Sequence, residues 1–237
     1  MEIKFKRHYS TFKYLLMFDL ASRNTGVCLW DIEKNCPIET KALIVTGKEE
    51  LPAVELLHII KNYLTDLQLR LGIDVRKDVL VAKEAMPTQL RGGSSTVQTF
   101  IALARSHCVL DTVLFENGIA TYDYVGIYPI TWHNLFKKMA NLGKDDKVTK
   151  EVVYDYIISH YSFDHALTLD ESDAVFLCYT FFAVKWNNDL AEQIREVKRH
   201  RKTLKAPHAI RACDTEILRL EGLKNLDKRK IDTIILL

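Results

Sequence analysis

The chain has 237 residues and is 48% hydrophobic, with 33 Lys and Arg against 31 Asp and Glu for a formal net charge of +2. That is enough for one substantial domain with an appendage. No apolar run approaches the ~20 residues that cross a bilayer, and the basic start, residues 1–13, has no apolar signal core, so a spanning or exported protein is not expected. The charge is uneven: residues 1–184 hold 20 basic and 23 acidic side chains, whereas 185–237 hold 13 and 8. A basic tail on a mildly acidic body suggests an arm for a polyanion, or else a solvated helical face. The five cysteines, Cys28, Cys36, Cys108, Cys178 and Cys213, form no CxxC pair and no zinc-ligand spacing. They are expected to be buried thiols in a reducing cytoplasm.

In chain order, residues 12–19 and 26–33 read as two strands joined by a turn rich in Ser, Asn and Gly, and 38–46 as a third strand. Short connections make these three antiparallel. Residues 49–71 carry apolar side chains at helical spacing, and Gly72 ends that helix. Residues 79–86 form a fourth apolar strand, followed by Pro87 and the Arg91-Gly-Gly93 loop. The helix 96–115 is apolar around most of its circumference, which predicts burial of more than one face or a contact with a second subunit. A fifth strand is expected over 120–130, ending at Pro129, with helices over 132–139 and 148–161. Another helix opens at Leu169-Asp-Glu-Ser-Asp-Ala174 and runs to about Trp186. A basic helix continues over 187–206, Pro207 breaks it, and 209–223 forms the last. Strands four and five need helical crossovers and therefore lie parallel. The expected architecture is α/β, a mixed five-stranded sheet with helices on both faces and a helical extension over 187–237.

Four carboxylates sit at telling places in this order: Asp19 at the end of the first strand, Glu84 near the end of the fourth, and Asp170 and Asp173 on one face of a late helix. Each has an ordinary reading. Asp19 suits a turn, Glu84 suits an ion pair with Lys83 or Arg91, Asp170 suits an N-cap, and Asp173 suits the first helical turn. If the crossover places strand four beside strand one, the acids converge. A cluster of hard oxygen donors suits Mg²⁺ or Mn²⁺ rather than zinc. The histidines, among them His58, His107, His133, His160 and His165, are scattered singly and read as structural.

The order Asp19-Leu-Ala-Ser-Arg-Asn-Thr-Gly26, then Val81-Ala-Lys-Glu84, then Asp170-Glu-Ser-Asp-Ala174 resembles the RuvC family of Holliday junction resolvases, within the ribonuclease H-like superfamily, and most closely its bacteriophage branch. The resemblance covers roughly residues 12–184. The chain departs from the bacterial pattern at the first motif, commonly Asp-Pro-Gly, and at Met86-Pro-Thr-Gln-Leu90, where bacterial members carry an aromatic wedge. The resemblance implies a nuclease domain over 1–186 and a Mg²⁺- or Mn²⁺-dependent endonuclease with two ions per site. It also implies a homodimer acting on four-way DNA junctions in a cytoplasm, that of the host if phage-encoded. It implies Asp19, Glu84, Asp170 and Asp173 as metal ligands and Lys147 as the lysine that begins the preceding helix. DNA contacts are expected from Lys144, Lys147 and Arg91 near the site and from Arg195, Lys198, Arg199, Arg201, Lys202 and Lys205 in the tail. Alternatives are another ribonuclease H-like nuclease for flaps, forks or RNA–DNA hybrids, a silent junction binder, and an actin-like ATPase.

Overall fold

The computed structural model describes residues 12–47, 52–86, 97–122 and 126–235. Its centre is a five-stranded sheet ordered β3-β2-β1-β4-β5. The strands are β1 (Tyr14–Asp19), β2 (Asn24–Asp31), β3 (Cys36–Ile44), β4 (Val79–Lys83) and β5 (Ala120–Thr121). β1 and β3 pair antiparallel with β2, and β1, β4 and β5 run parallel. This is the expected mixed topology, three antiparallel strands followed by two parallel ones.

The apolar runs of β1, β2 and β4 are buried on both faces, which is why they read as continuous runs rather than alternations. On one face Leu16, Phe18, Val27, Leu29, Val79 and Val81 share a core with α1 (Pro52–Leu71) and α2 (Val97–Glu116). α1 buries Leu56, Ile60, Tyr63, Leu64 and Leu67 and leaves Val54 and Leu71 exposed. Gly72, at φ +66°, closes it by donating its N–H to the Gln68 carbonyl. The opposite sheet face carries Leu15, Met17 and Asp19 on β1 and Leu80, Ala82 and Glu84 along β4. It is the face that the later helices cover: the buried Cys178 thiol of α5 lies 3.9 Å from the Cys28 carbonyl of β2.

α3 (Pro129–Met139), α4 (Lys150–His160) and α5 (Leu169–Thr180) follow. Among the described residues of the expected fifth strand, Ala120–Thr121 pair as a strand and Ile127 forms an isolated bridge to Glu84. Pro129 does not end a strand but starts α3, where its missing N–H costs nothing. After α5 a π-helical segment, Phe181–Trp186, leads into α6 (Asn187–Thr203), and α7 (Pro207–Ile235) starts at the proline expected to break the helix. The chain divides into two compact units, Met1–Cys178 and Tyr179–Leu237. In the second, α6 packs along α7, with Ile194, Val197, Cys213, Ile217 and Leu220 buried.

Cys28, Cys178 and Cys213 are buried thiols as expected, while Cys36 is half-buried and Cys108 exposed. No described helix is long and apolar enough to cross a membrane.

Candidate functional site

The register of the sheet brings the first two acids together. Phe18 stands opposite Lys83 in the parallel β1–β4 pair, so the next residues, Asp19 and Glu84, are neighbours on one face. Glu84 lies just past the end of β4 and is held by backbone on both sides. Its N–H donates to the Phe18 carbonyl, and the flanking Ala85 and Lys83 exchange hydrogen bonds with Ile127. This close bridge requires Gly126, at φ +88°, because a Cβ there would lie 2.5 Å from the Lys83 carbonyl oxygen.

α5 supplies the other two acids. Its start is capped by a reciprocal pair: Glu171 N–H donates to Thr168 Oγ1, and Thr168 N–H donates to Glu171 Oε2 at 2.7 Å. Capping therefore falls to Thr168 and Glu171, and Asp170 and Asp173 are free to face the sheet. Gly26 on β2, paired with Asp19, lets α5 approach. A Cβ at Gly26 would lie 2.0 Å from the Asp170 carbonyl oxygen and 2.4 Å from its carbon. The reading that pairs Glu84 with Lys83 also gives way. Lys83 points to the other face, where it is paired with Asp111 at 2.5 Å.

Three of the four acids converge around one ammonium. Lys150 Nζ, on the first residue of α4, lies 2.5 Å from Asp170 Oδ1, 3.2 Å from Asp173 Oδ2 and 3.8 Å from Asp19 Oδ2. Burial pushes the Glu84 carboxyl up to about 8, helped by the Asp19 charge. The neighbouring Asp19 carboxylate favours the protonated form of Glu84, and the two carboxyl groups are coupled. Burial likewise raises Asp173 to about 7, with the Asp19 charge beside it. Asp19 is raised by burial, against the opposing pull of Lys150. Burial pulls the Lys150 ammonium down, but its bond to Asp170 and the charges of Asp19 and Asp173 outweigh that and hold it above its ordinary value.

Among the described residues no three His, Cys, Asp or Glu side chains already stand as a ligand set. The ammonium fills the space between the carboxylates. The donor chemistry nonetheless fits a hard divalent cation: every group is a carboxylate oxygen. In addition, Asp173 Oδ1 is buried with no hydrogen-bond partner, an acceptor oxygen left over at the centre of the cluster.

Two contributors escaped sequence reasoning. Trp132 on α3 donates its indole N–H to Glu84 Oε1 at 2.6 Å and packs near Phe176 of α5. Its only signal was an apolar residue in a short helix. The lysine at the acids is Lys150, whereas the expected Lys147 is exposed in the loop before α4 with Lys144. The motif resemblance placed the lysine at the helix start, and Thr149 rather than Val148 is where the helix is capped. Arg91 lies outside the described residues. In the tail, Lys198 and Arg201 are paired with Glu221 and Asp214 of α7. Arg195, Arg199, Lys202 and Lys205 are exposed. Of the histidines, His160 Nδ1 meets the Tyr156 carbonyl oxygen and His165 reaches Glu171 rather than the four acids.

No family model matches this sequence, and no curated protein matches it. Solved structures similar in fold include Thermus thermophilus RuvC in complex with a Holliday junction substrate, at 13% identity and a TM-score of 0.47 over 72% of this chain and 94% of that one. A second is a Thermus thermophilus RuvC structure at 16% identity and a TM-score of 0.47, covering 72% and 95%.

Proposed function

We propose that this protein is a divalent-metal-dependent endonuclease that cuts phosphodiesters in branched DNA, four-way junctions above all, and that it belongs with the phage-type resolvases its motifs resemble. The observation that carries the reading is the convergence of Asp19, Glu84, Asp170 and Asp173 on one sheet face, with Asp173 Oδ1 buried and unpartnered. Acids so far apart in sequence meet at the carboxyl ends of parallel strands, where α/β folds place their sites.

Asp19, Glu84, Asp170 and Asp173 would hold two Mg²⁺ or Mn²⁺ ions. When bound, these supply activation of water and stabilisation of the leaving oxygen of the phosphodiester. Asp19 stands centrally, touching both Glu84 and Lys150, and anchors the set. Trp132 fixes the Glu84 carboxyl, and Gly26 admits the Asp170 turn. We assign the basic group at the centre to Lys150, and give Lys144 and Lys147, exposed on the loop that precedes it, to the DNA backbone.

Residues 1–186 would form the nuclease domain and 187–237 a DNA-holding extension. Within the extension, Arg195, Arg199 and Lys202 recur at i, i+4 and i+7, one stripe of α6, and Lys205 follows. Lys198 and Arg201, engaged with α7, are given a structural role instead. A second copy of the chain would dock on α2, where Val97, Ile101 and Phe115 are exposed, Phe115 at 83%. Two sites related by a twofold axis suit the symmetric strands of a four-way junction.

The test offers four-way, three-way, flap and linear DNA to the purified protein with Mg²⁺. Paired nicks at symmetric positions of the four-way junction are expected, lost in Asp19→Asn while junction binding stays within about threefold. Flap, fork or hybrid cleavage without junction cleavage would transfer the site to another nuclease class. Wild-type cutting by Asp19→Asn would overturn the assignment.

A further inference from the structure

Three carboxylates from two separate elements face a single ammonium. Lys150 Nζ is within 2.5–3.8 Å of Asp170, Asp173 and Asp19. The ammonium donates to Asp170 Oδ1 and stands beside Asp173 and Asp19 as an ion-pair partner. A Mg²⁺ ion takes oxygen ligands at about 2.0–2.1 Å, so an ion held by these same oxygens needs the point that Nζ occupies. The two cannot share it.

A second observation concerns the oxygen that Lys150 does not use. Asp173 Oδ1 is buried without a partner, on a side chain only 4% exposed. One ammonium leaves this cluster incompletely satisfied. A cation of higher charge with more ligand positions would satisfy it better.

Lys150 is also free to leave. Its side chain is 46% exposed and begins α4 on a flexible four-carbon stem. The helix start does not depend on it, because Thr149 accepts the capping hydrogen bond from Val152 N–H.

We propose that Lys150 is a resident counter-ion. It holds the acids together in the metal-free protein and competes with the divalent cation for Asp19, Asp170 and Asp173, so that the metal enters by displacing the ammonium. The free enzyme then holds metal more weakly than its carboxylates alone would. The proposal rests on reading the four acids as a metal centre, and its test is chosen to separate the two.

The full-length wild type, Lys150→Gln and Lys150→Arg are titrated calorimetrically with MnCl₂, alongside Asp19→Asn. Removing the charge is expected to tighten Mn²⁺ binding at least about tenfold. The arginine variant, which keeps the charge, stays near wild type. The metal-free glutamine variant melts at a lower temperature than wild type, and Mn²⁺ restores it. Should the glutamine variant fail to fold, Lys150→Met keeps the stem, drops the charge and gives the same reading. Unchanged or weaker Mn²⁺ affinity in the uncharged variants, with wild-type binding lost in Asp19→Asn, overturns the counter-ion role and leaves the metal centre standing. Absence of Mn²⁺ binding in wild type and uncharged variants overturns both.

Discussion

At the scale of single residues, Trp132 shows how an apolar side chain serves a polar site. Its ring is buried beside Phe176, and its one polar atom points at Glu84. The indole N–H favours the ionised form of Glu84, against the burial and the Asp19 charge that favour the proton. Trp132→Phe keeps most of the packing and removes the donor. Partners that orient metal ligands are commonly worth 10–100-fold in affinity or activity. Junction cleavage is therefore expected to fall by about that factor, with stability changed by only about 1 kcal/mol. Cleavage rates beside a thermal melt would check this, and a melt that collapses in step with activity would make Trp132 a packing residue only.

At the scale of elements, the site depends on how closely α5 can approach β2. Gly26 is the contact point, where even a methyl group would meet the Asp170 carbonyl. Gly26→Ala forces β2 or the start of α5 to move, and overpacking of this kind costs about 1–3 kcal/mol. The expected outcome is a lower melting temperature together with loss of most cleavage, because Asp170 and Asp173 move with the helix start. A variant that melts lower but cuts at the wild-type rate would show that the acids tolerate the shift.

In the second unit, the α6 stripe makes a separate prediction. Replacing Arg195, Arg199 and Lys202 together with Gln removes three exposed charges, and each phosphate contact contributes about 0.9 to the salt slope of binding to duplex DNA. The slope of log K against log salt should flatten by up to about 2.7, with little effect on melting. Lys198→Gln with Arg201→Gln should do the reverse, since those side chains are paired with Glu221 and Asp214. Equal slopes in both variants would remove α6 from the DNA interface.

At the scale of the molecule, the acid cluster makes stability depend on pH in an unusual direction. Glu84 is raised from 4.5 to about 8 and Asp173 from 3.8 to about 7. An acid raised by folding binds its proton more tightly in the folded state. Its contribution is complete below the unfolded value and is lost as pH rises through the folded one. The metal-free protein should thus lose stability between about pH 4 and 8, by about 5 °C or more in Tm. Saturating Mg²⁺ or Mn²⁺ should cancel the loss, since the ion replaces the protons. Melting curves at several pH values, with and without metal, would settle it, and a metal-independent profile would count against the site.

Much of this was written in local pattern. The buried runs at 14–19 and 79–83, the turn between β1 and β2, the spacing of Asp170 from Asp173 and the cap at Gly72 all follow from side-chain periodicity and backbone preference, which act within a few residues. Those local rules determined the element order and marked the four acids. They could not determine that Thr168 and Glu171 cap α5 while Asp170 turns inward, that Pro129 opens a helix, that Trp132 reaches Glu84, or that Lys150 rather than Lys147 meets the carboxylates. The cap and the proline start are local alternatives that the pattern left open, whereas the inward turn of Asp170 and the contacts of Trp132 and Lys150 were decided between elements distant in the chain, where burial, close approach at a glycine and charge pairing outweigh what any single residue prefers.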